Sequence, residues 1–166
     1  MSKAQNQDPR LEWPKLSLPA CDADVVERDG QWLIRCAVRS KWIKLEPEEW
    51  VRQHIVAALA TAGWPLSRMV LEFPVRFGQV EGRIDIACFD RWGRVVMAVE
   101  VKAPQVHLNQ SVADQVARYD LALKCSWLMI SNGLQNAVWR RDENGVCRPF
   151  RGWPVPAFGV DSDSVE

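Results

Sequence analysis

The chain has 166 residues, 48% of them hydrophobic and 25% charged, with 21 basic side chains against 21 acidic ones. That length suits one domain with a real core, and the charge balance excludes the broadly basic surface that marks many nucleic-acid binders, leaving room only for a local patch. Five cysteines with no C-x-x-C pair point away from a zinc site or a disulfide framework, and no apolar run approaches the ~20 residues of a membrane span.

Met1 to Arg10 is polar, lacks the apolar centre of a signal peptide and is expected to be a flexible tail. With the unpaired cysteines it makes the cytoplasm the expected location, without a membrane partner. Leu11 to Pro19, carrying Pro14 and Pro19, is expected to be irregular. Asp24 to Val38 predicts a β-hairpin. Asp29-Gly30 supplies the turn, and Trp32, Ile34 and Cys36 alternate with Leu33, Arg35 and Ala37. Ser40 to Leu45 is a further short extended piece. Glu46-Pro47-Glu48-Glu49 starts a helix, with proline at the first position and acids against the dipole. Val51, Ile55, Leu59 and Ala62 form its apolar stripe, and Gly63 with Trp64-Pro65 ends it.

Met69 to Phe77 predicts a strand, with Pro74 marking a bulge or a sheet edge. Gly78 to Gly82 is expected to be a loop. Two strands follow, one around Asp85 and one over Val95 to Val101, joined near Asp90-Arg-Trp-Gly93. After Pro104, Asn109 or Ser111 caps a second helix whose buried face is Val112, Val116, Tyr119 and Leu123. Ser126 to Ile130 is a strand, Asn132-Gly133 a turn and Ala137 to Trp139 a last short strand. Arg140 to Pro156 is expected to be irregular, apart from an Asn144-Gly145 turn. Asp161 to Glu166 is expected to be a disordered tail, so a single domain runs over residues 11–160. No repeat and no low-complexity segment occurs. The order of elements predicts an α/β domain, a mixed sheet with helices on both sides.

The chemistry concentrates between Arg83 and Lys102. Side chains alternate along a strand, so Glu100 and Lys102 share a face, and a hairpin brings Asp85 beside Glu100. Charges in so apolar a run are costly unless paired or bound to a metal. Two carboxylates suit Mg²⁺, a hard cation that prefers oxygen, and the Val101 carbonyl can add a third ligand. Lys102 is placed to orient an attacking water and to neutralise charge on a phosphate. Taken alone, Glu100-Val-Lys102 is more simply a surface ion pair; the apolar approach and Asp85 weigh against that.

Glu48 and Glu49 open the first helix and either balance the dipole or supply a further metal oxygen, Glu49 being preferred. Gln115 and Tyr119 lie four apart on one helix face, where both can hydrogen-bond a phosphate or a metal-bound carboxylate. Arg83 shares strand parity with Asp85 and is a candidate phosphate contact or salt-bridge partner. His54 and His107 are assigned no role. No P-loop, dinucleotide glycine pattern, G-x-S-x-G or H-E-x-x-H occurs.

Asp85, then Glu100-Val-Lys102, then Gln115-Val-Ala-Arg-Tyr119 resembles the PD-(D/E)xK nuclease superfamily. More narrowly, the stretch from about Lys44 to Trp139 resembles the N-terminal nuclease domain of type I restriction enzyme R subunits and its stand-alone relatives. Pro47-Glu-Glu-Trp-Val-Arg-Gln53, Arg83-Ile-Asp-Ile86, Val99 to Pro104, Asp114-Gln115 with Arg118-Tyr119, and Ser131-Asn-Gly133 carry the likeness. The departures are Ile84, where a proline often precedes the aspartate, and the lack of any ATPase motor.

The resemblance implies a restriction-endonuclease-like fold: a four-stranded mixed central sheet flanked by helices, here with an added N-terminal β-hairpin. It implies Mg²⁺-dependent hydrolysis of DNA, with Mn²⁺ also accepted. Catalytic residues would be Asp85, Glu100, Lys102, Gln115 and Tyr119. Metal ligands would be Asp85, Glu100, Val101 and Glu49, and substrate contacts Arg83, Gln115 and Tyr119. The segments outside the match are candidates for dimerisation, DNA contact or packing alone, with a homodimer as one open assembly. The competing expectation is a non-catalytic module of the same fold that binds nucleic acid or a protein; action on RNA or another phosphate ester is a third.

Overall fold

The computed structural model describes residues 7–157. Residues 1–6 and 161–166 of the two expected tails lie outside that range, and the side chains of Val112 and Val116 are likewise outside the description. The chain enters through a 3-10 turn, Pro9–Glu12, where the Asp8 carboxylate accepts from the Arg10 backbone at 2.9 Å. Strands β1 (Val25–Arg28), β2 (Gln31–Cys36) and β3 (Lys41–Lys44) then form an antiparallel sheet in that order. The β1–β2 turn is Asp29-Gly30, with φ of 51° and 77°, as the hairpin pattern predicts. The hairpin is, however, three-stranded. Ser40, at φ 52°, turns the chain so that Lys41–Lys44 pairs back onto β2.

Helix α1 (Pro47–Thr61) starts at the predicted proline and buries Val51, Ile55 and Leu59. It precedes a six-stranded mixed sheet ordered β4 (Met69–Phe77), β5 (Val80–Phe89), β6 (Val95–Val101), β7 (Trp127–Ser131), β8 (Asn136–Arg141) and β9 (Cys147–Phe150). Only β6 and β7 run parallel, and α2 (Gln110–Leu123) makes the crossover that a parallel pair requires. Asn109 is the residue that caps α2, its Oδ1 accepting from the Ser111 backbone at 3.1 Å.

Several expectations need correction. The central sheet has six strands rather than four: the expected strand Ala137 to Trp139 joins it as part of β8, and Arg140 to Pro156, expected to be irregular, adds β9. The Asp142 carboxylate accepts from the backbone of Asn144 and Val146 and from Arg148, which closes a β8–β9 hairpin. A strand pattern interrupted by Pro149 hides this. The expected loop at Gly78 to Gly82 is mostly strand. Val75, Arg76 and Phe77 pair with Gly82, Glu81 and Val80, leaving Gly78-Gln79 as the turn. Pro74 does lie on an edge strand, where its missing N–H costs no ladder bond.

The core lies on both faces of the sheet. On one face, Val51, Ile55 and Leu59 of α1 pack against Leu71, Ile86, Cys88, Met97, Val99, Val101 and Met129. On the other, Tyr119 of α2 packs with Val75, Ile84, Ala87, Ala98, Leu128 and Ile130. Ile84 and Ile86 are two apart yet belong to different faces, against the regular alternation of a strand. The break sits at Asp85. The β4–β5 ladder skips one opposed pair, Glu72 with Asp85, and Glu72 takes a left-handed φ of 55°. The two strands keep their register on either side and exchange faces at this point.

Candidate functional site

Glu100 is the penultimate residue of β6, in its buried second half, and is itself 3% exposed. Its neighbours Val99 and Val101 pack toward α1, so Glu100 points toward α2. There its Oε1 accepts from Lys102 Nζ at 2.6 Å and from Gln115 Nε2 at 2.8 Å. Its Oε2 lies 3.0 Å from the Tyr119 hydroxyl, which is also 2.8 Å from the Arg83 carbonyl. A hydroxyl carries one proton, so Tyr119 shares it between these two acceptors while accepting from Gln115 at 3.0 Å. The predicted pair on α2 thus meets the predicted acid and lysine.

Asp85 sits at the face exchange and joins β6 to α1. Its Oδ2 accepts from the Val101 N–H at 2.8 Å, replacing a strand partner, and its Oδ1 lies 3.2 Å from Arg52 Nη2 on α1. Asp85 and Glu100 come next to each other beyond the last ladder pair, Ile86 with Val99. Burial and then the Asp85 charge push the Glu100 carboxyl above its ordinary 4.5. Burial and then the Glu100 charge likewise raise the Tyr119 phenol.

The first-helix acids divide in a way that periodicity does not foresee. Glu49 is buried and turned into α1: it pairs with Arg52, and its Oε1 accepts from Gln53 at 2.8 Å. Gln53 in turn accepts from the Ala37 N–H at 3.0 Å, which ties the small sheet to the helix. Glu48 has a side chain 45% exposed and accepts from Arg52 at 2.9 Å. Partial burial and the nearby Asp85 charge raise its pKa, while Arg52 and Lys102 pull it down. Of the two, Glu48 faces the site electrostatically.

Arg52 is the residue that sequence reading passed over. It is 5% exposed and binds Glu48, Glu49 and Asp85 together. Those carboxylates outweigh burial and hold its pKa above the ordinary value. Its place three and four residues beyond the two glutamates was the available signal. Glu72 was missed as well; it binds Arg39 at 2.5 Å and Arg83 at 3.3 Å. Arg83 itself is 62% exposed along its side chain, at the open rim above Tyr119. His54 packs on Trp50 with Nδ1 2.9 Å from the Trp50 carbonyl, and His107 is exposed.

Behind the site, Ser131 and Asn132 brace the loop that follows Lys102. Lys102 N donates to Ser131 O at 2.8 Å and Asn132 Nδ2 to Val106 O at 2.8 Å. The donor chemistry, carboxylate and carbonyl oxygen, fits a hard divalent cation. The oxygens are satisfied by Arg52, Lys102, Gln115, Tyr119 and a backbone N–H, and among the described residues no set of three or more His, Cys, Asp or Glu is gathered in ligating positions.

A mixed sheet with helices on both faces, bearing one buried acid within β5 and a second, followed by a lysine, at the end of β6, is an arrangement suited to phosphate-ester chemistry. The chain belongs to the family described as type I restriction enzyme R protein N terminus (HSDR_N), whose model matches residues 47–150. The match spans α1 to β9 and so contains both acids, Lys102 and the α2 pair. No curated protein and no solved structure matches the chain significantly. The family makes this a nuclease-related domain. No helix among the described residues is long and apolar enough to cross a membrane.

Proposed function

We propose that the protein is a metal-dependent nuclease that hydrolyses DNA phosphodiester bonds. The observation that carries this reading is the joining of Glu100 and Lys102 at a buried strand end, beside Asp85 and under Gln115 and Tyr119. We assign β4–β7 with α1 and α2 to the restriction-endonuclease-like core and treat β8 and β9 as an extension of it.

Asp85, Glu100 and the Val101 carbonyl are the groups to hold Mg²⁺ or Mn²⁺, with Glu48 in place of the expected Glu49. Such an ion supplies Lewis acidity at the phosphate and lowers the pKa of water. Lys102 brings a positive charge to the same spot, where it positions the attacking water and offsets charge growing on the phosphate. Gln115 and Tyr119 each engage one oxygen of Glu100 and so hold it in one rotamer. Arg83 lines the approach, and beyond it Arg76 and Arg118 face a groove of about 280 Å³ between the β4–β5 hairpin and α2. Arg76 is paired with Glu81 and Arg83 with Glu72, so a DNA phosphate would exchange with those carboxylates at this rim.

The test is incubation with plasmid and linear DNA in Mg²⁺ or Mn²⁺. Cleavage is expected, with loss in EDTA and a fall of at least about 10²-fold for Lys102→Ala, as for removal of one electrostatic stabiliser. Cleavage that survives the lysine change or ignores EDTA would overturn it. Binding of DNA without cleavage in any divalent ion would establish the non-catalytic alternative, and preference for RNA would move the substrate.

A further inference from the structure

We propose that Arg52 limits the acid cluster to a single divalent cation by standing, as a built-in cation, where a second ion would bind. The inference rests on the nuclease reading only for the presence of the metal. Arg52 projects from α1 into the acid cluster. Its guanidinium contacts Glu48 at 2.9 Å and Asp85 at 3.2 Å and also pairs with Glu49. A guanidinium presents its N–H groups in a fixed fork, so one group can hold several carboxylates as an ion would. The Nε of Arg52 is buried with no hydrogen-bond partner, an omission that costs free energy. The side chain is therefore placed by its ion pairs and not by full satisfaction of its own donors.

The charges support the same count. Glu48, Glu49, Asp85 and Glu100 are four carboxylates; Arg52 and Lys102 are two cations bound to them. Two negative charges remain, which one divalent ion neutralises. A second ion would have to displace Arg52 from a site that is 5% exposed, where a displaced guanidinium has no carboxylate left to meet it. Arg52 is in this sense a positioning residue: it fixes Asp85 and Glu48 from the α1 side.

Titration of Mn²⁺ into the full chain without DNA, followed by calorimetry and by the EPR signal of free Mn²⁺, reads the number of ions directly. One ion is expected for the wild type and for Arg52→Lys, which keeps the charge. Arg52→Gln is expected to take two, the second at least tenfold tighter than any second ion on the wild type. Glu48→Gln combined with Arg52→Gln removes one charge of each sign and is expected to return to one ion, bound more weakly. Two ions on the wild type or on Arg52→Lys would overturn the proposal, as would one ion on an Arg52→Gln protein whose circular dichroism is native. Should Arg52→Gln fail to fold, the wild-type and Arg52→Lys counts still decide. A folded wild type that binds no Mn²⁺ would overturn the metal reading itself, whereas a miscount among variants that bind metal and cut DNA would overturn only the role of Arg52.

Discussion

Glu48 and Glu49 are neighbours in sequence, yet their side chains have different work. Glu49 sits in a buried chain that runs from Arg52 through Gln53 to the Ala37 N–H of the small sheet. Glu49→Gln is expected to cost about 1–3 kcal/mol of stability in urea denaturation, because it leaves Arg52 and Gln53 short of a partner. Glu48→Gln is expected to leave the urea midpoint nearly unchanged, since a half-exposed ion pair contributes little, but to weaken Mn²⁺ binding. The opposite pattern would put Glu49 on the metal. Burial and neighbouring carboxylate charge raise Glu100 and Glu48 above 4.5. A carboxyl with a raised pKa in the fold binds its proton more readily folded than unfolded. Stability of the metal-free protein therefore falls as pH rises from about 4.5 toward neutrality. Metal needs the ionised carboxylates, so the shift in melting temperature on adding Mg²⁺ is expected to grow across the same range. Thermal melts at several pH values with and without Mg²⁺ check both signs.

At the scale of elements, the decisive feature is the exchange of faces in β4 and β5. A regular β5 would send Asp85 to one helix only. The break at Glu72 lets Asp85 touch Arg52 on the α1 side while accepting from β6. Left-handed backbone costs a side-chain-bearing residue about 1–2 kcal/mol, and such strain persists where the surroundings hold it. Here Arg39 and Arg83 hold Glu72. Glu72→Gly and Glu72→Val lose the same ion pairs but differ in strain. Val, the better strand former, is expected to be less stable than Gly by about 1–2 kcal/mol in denaturant unfolding. Equal stabilities would show that the left-handed conformation carries no cost here. Strand propensity could announce β4 but not its break, because Val-Leu-Glu-Phe-Pro has no glycine to mark a positive φ.

For the whole molecule, the N-terminal segment is tied to the central domain at Gly133. Ser17 N donates to Gly133 O at 2.7 Å, and Gly133 holds a φ of 82°. A Cβ there would lie 2.7 Å from Leu16 and 3.0 Å from Val51 of α1. Leu16 can shift, but Val51 is buried in the core. Gly133→Ala is expected to cost about 1–3 kcal/mol, seen as a lower denaturant midpoint at unchanged slope. An unaltered midpoint would mean that residues 7–24 are not fastened there.

How much of this was legible in the sequence follows from the range of each signal. Local signals did well: Asp29-Gly30 turned a hairpin, Pro47 started α1, and Glu100-Val-Lys102 kept its two charges on one face, because turn chemistry and alternation act over a few residues. The order strand, strand, helix then brought Gln115 and Tyr119 back over Glu100, since a parallel crossover by α2 must return across the sheet. The tertiary structure alone decided the rest. Whether Glu48 or Glu49 faces the acids depends on the rotation of α1 against β5 and β6. The strand β9 and the pairing of β3 onto β2 depend on edges that become available only once their neighbours are built. That Arg52 fills the space beside Asp85 is a matter of three elements meeting, and a charge can be recognised as an internal counter-ion only when its partners, distant in sequence, are in place.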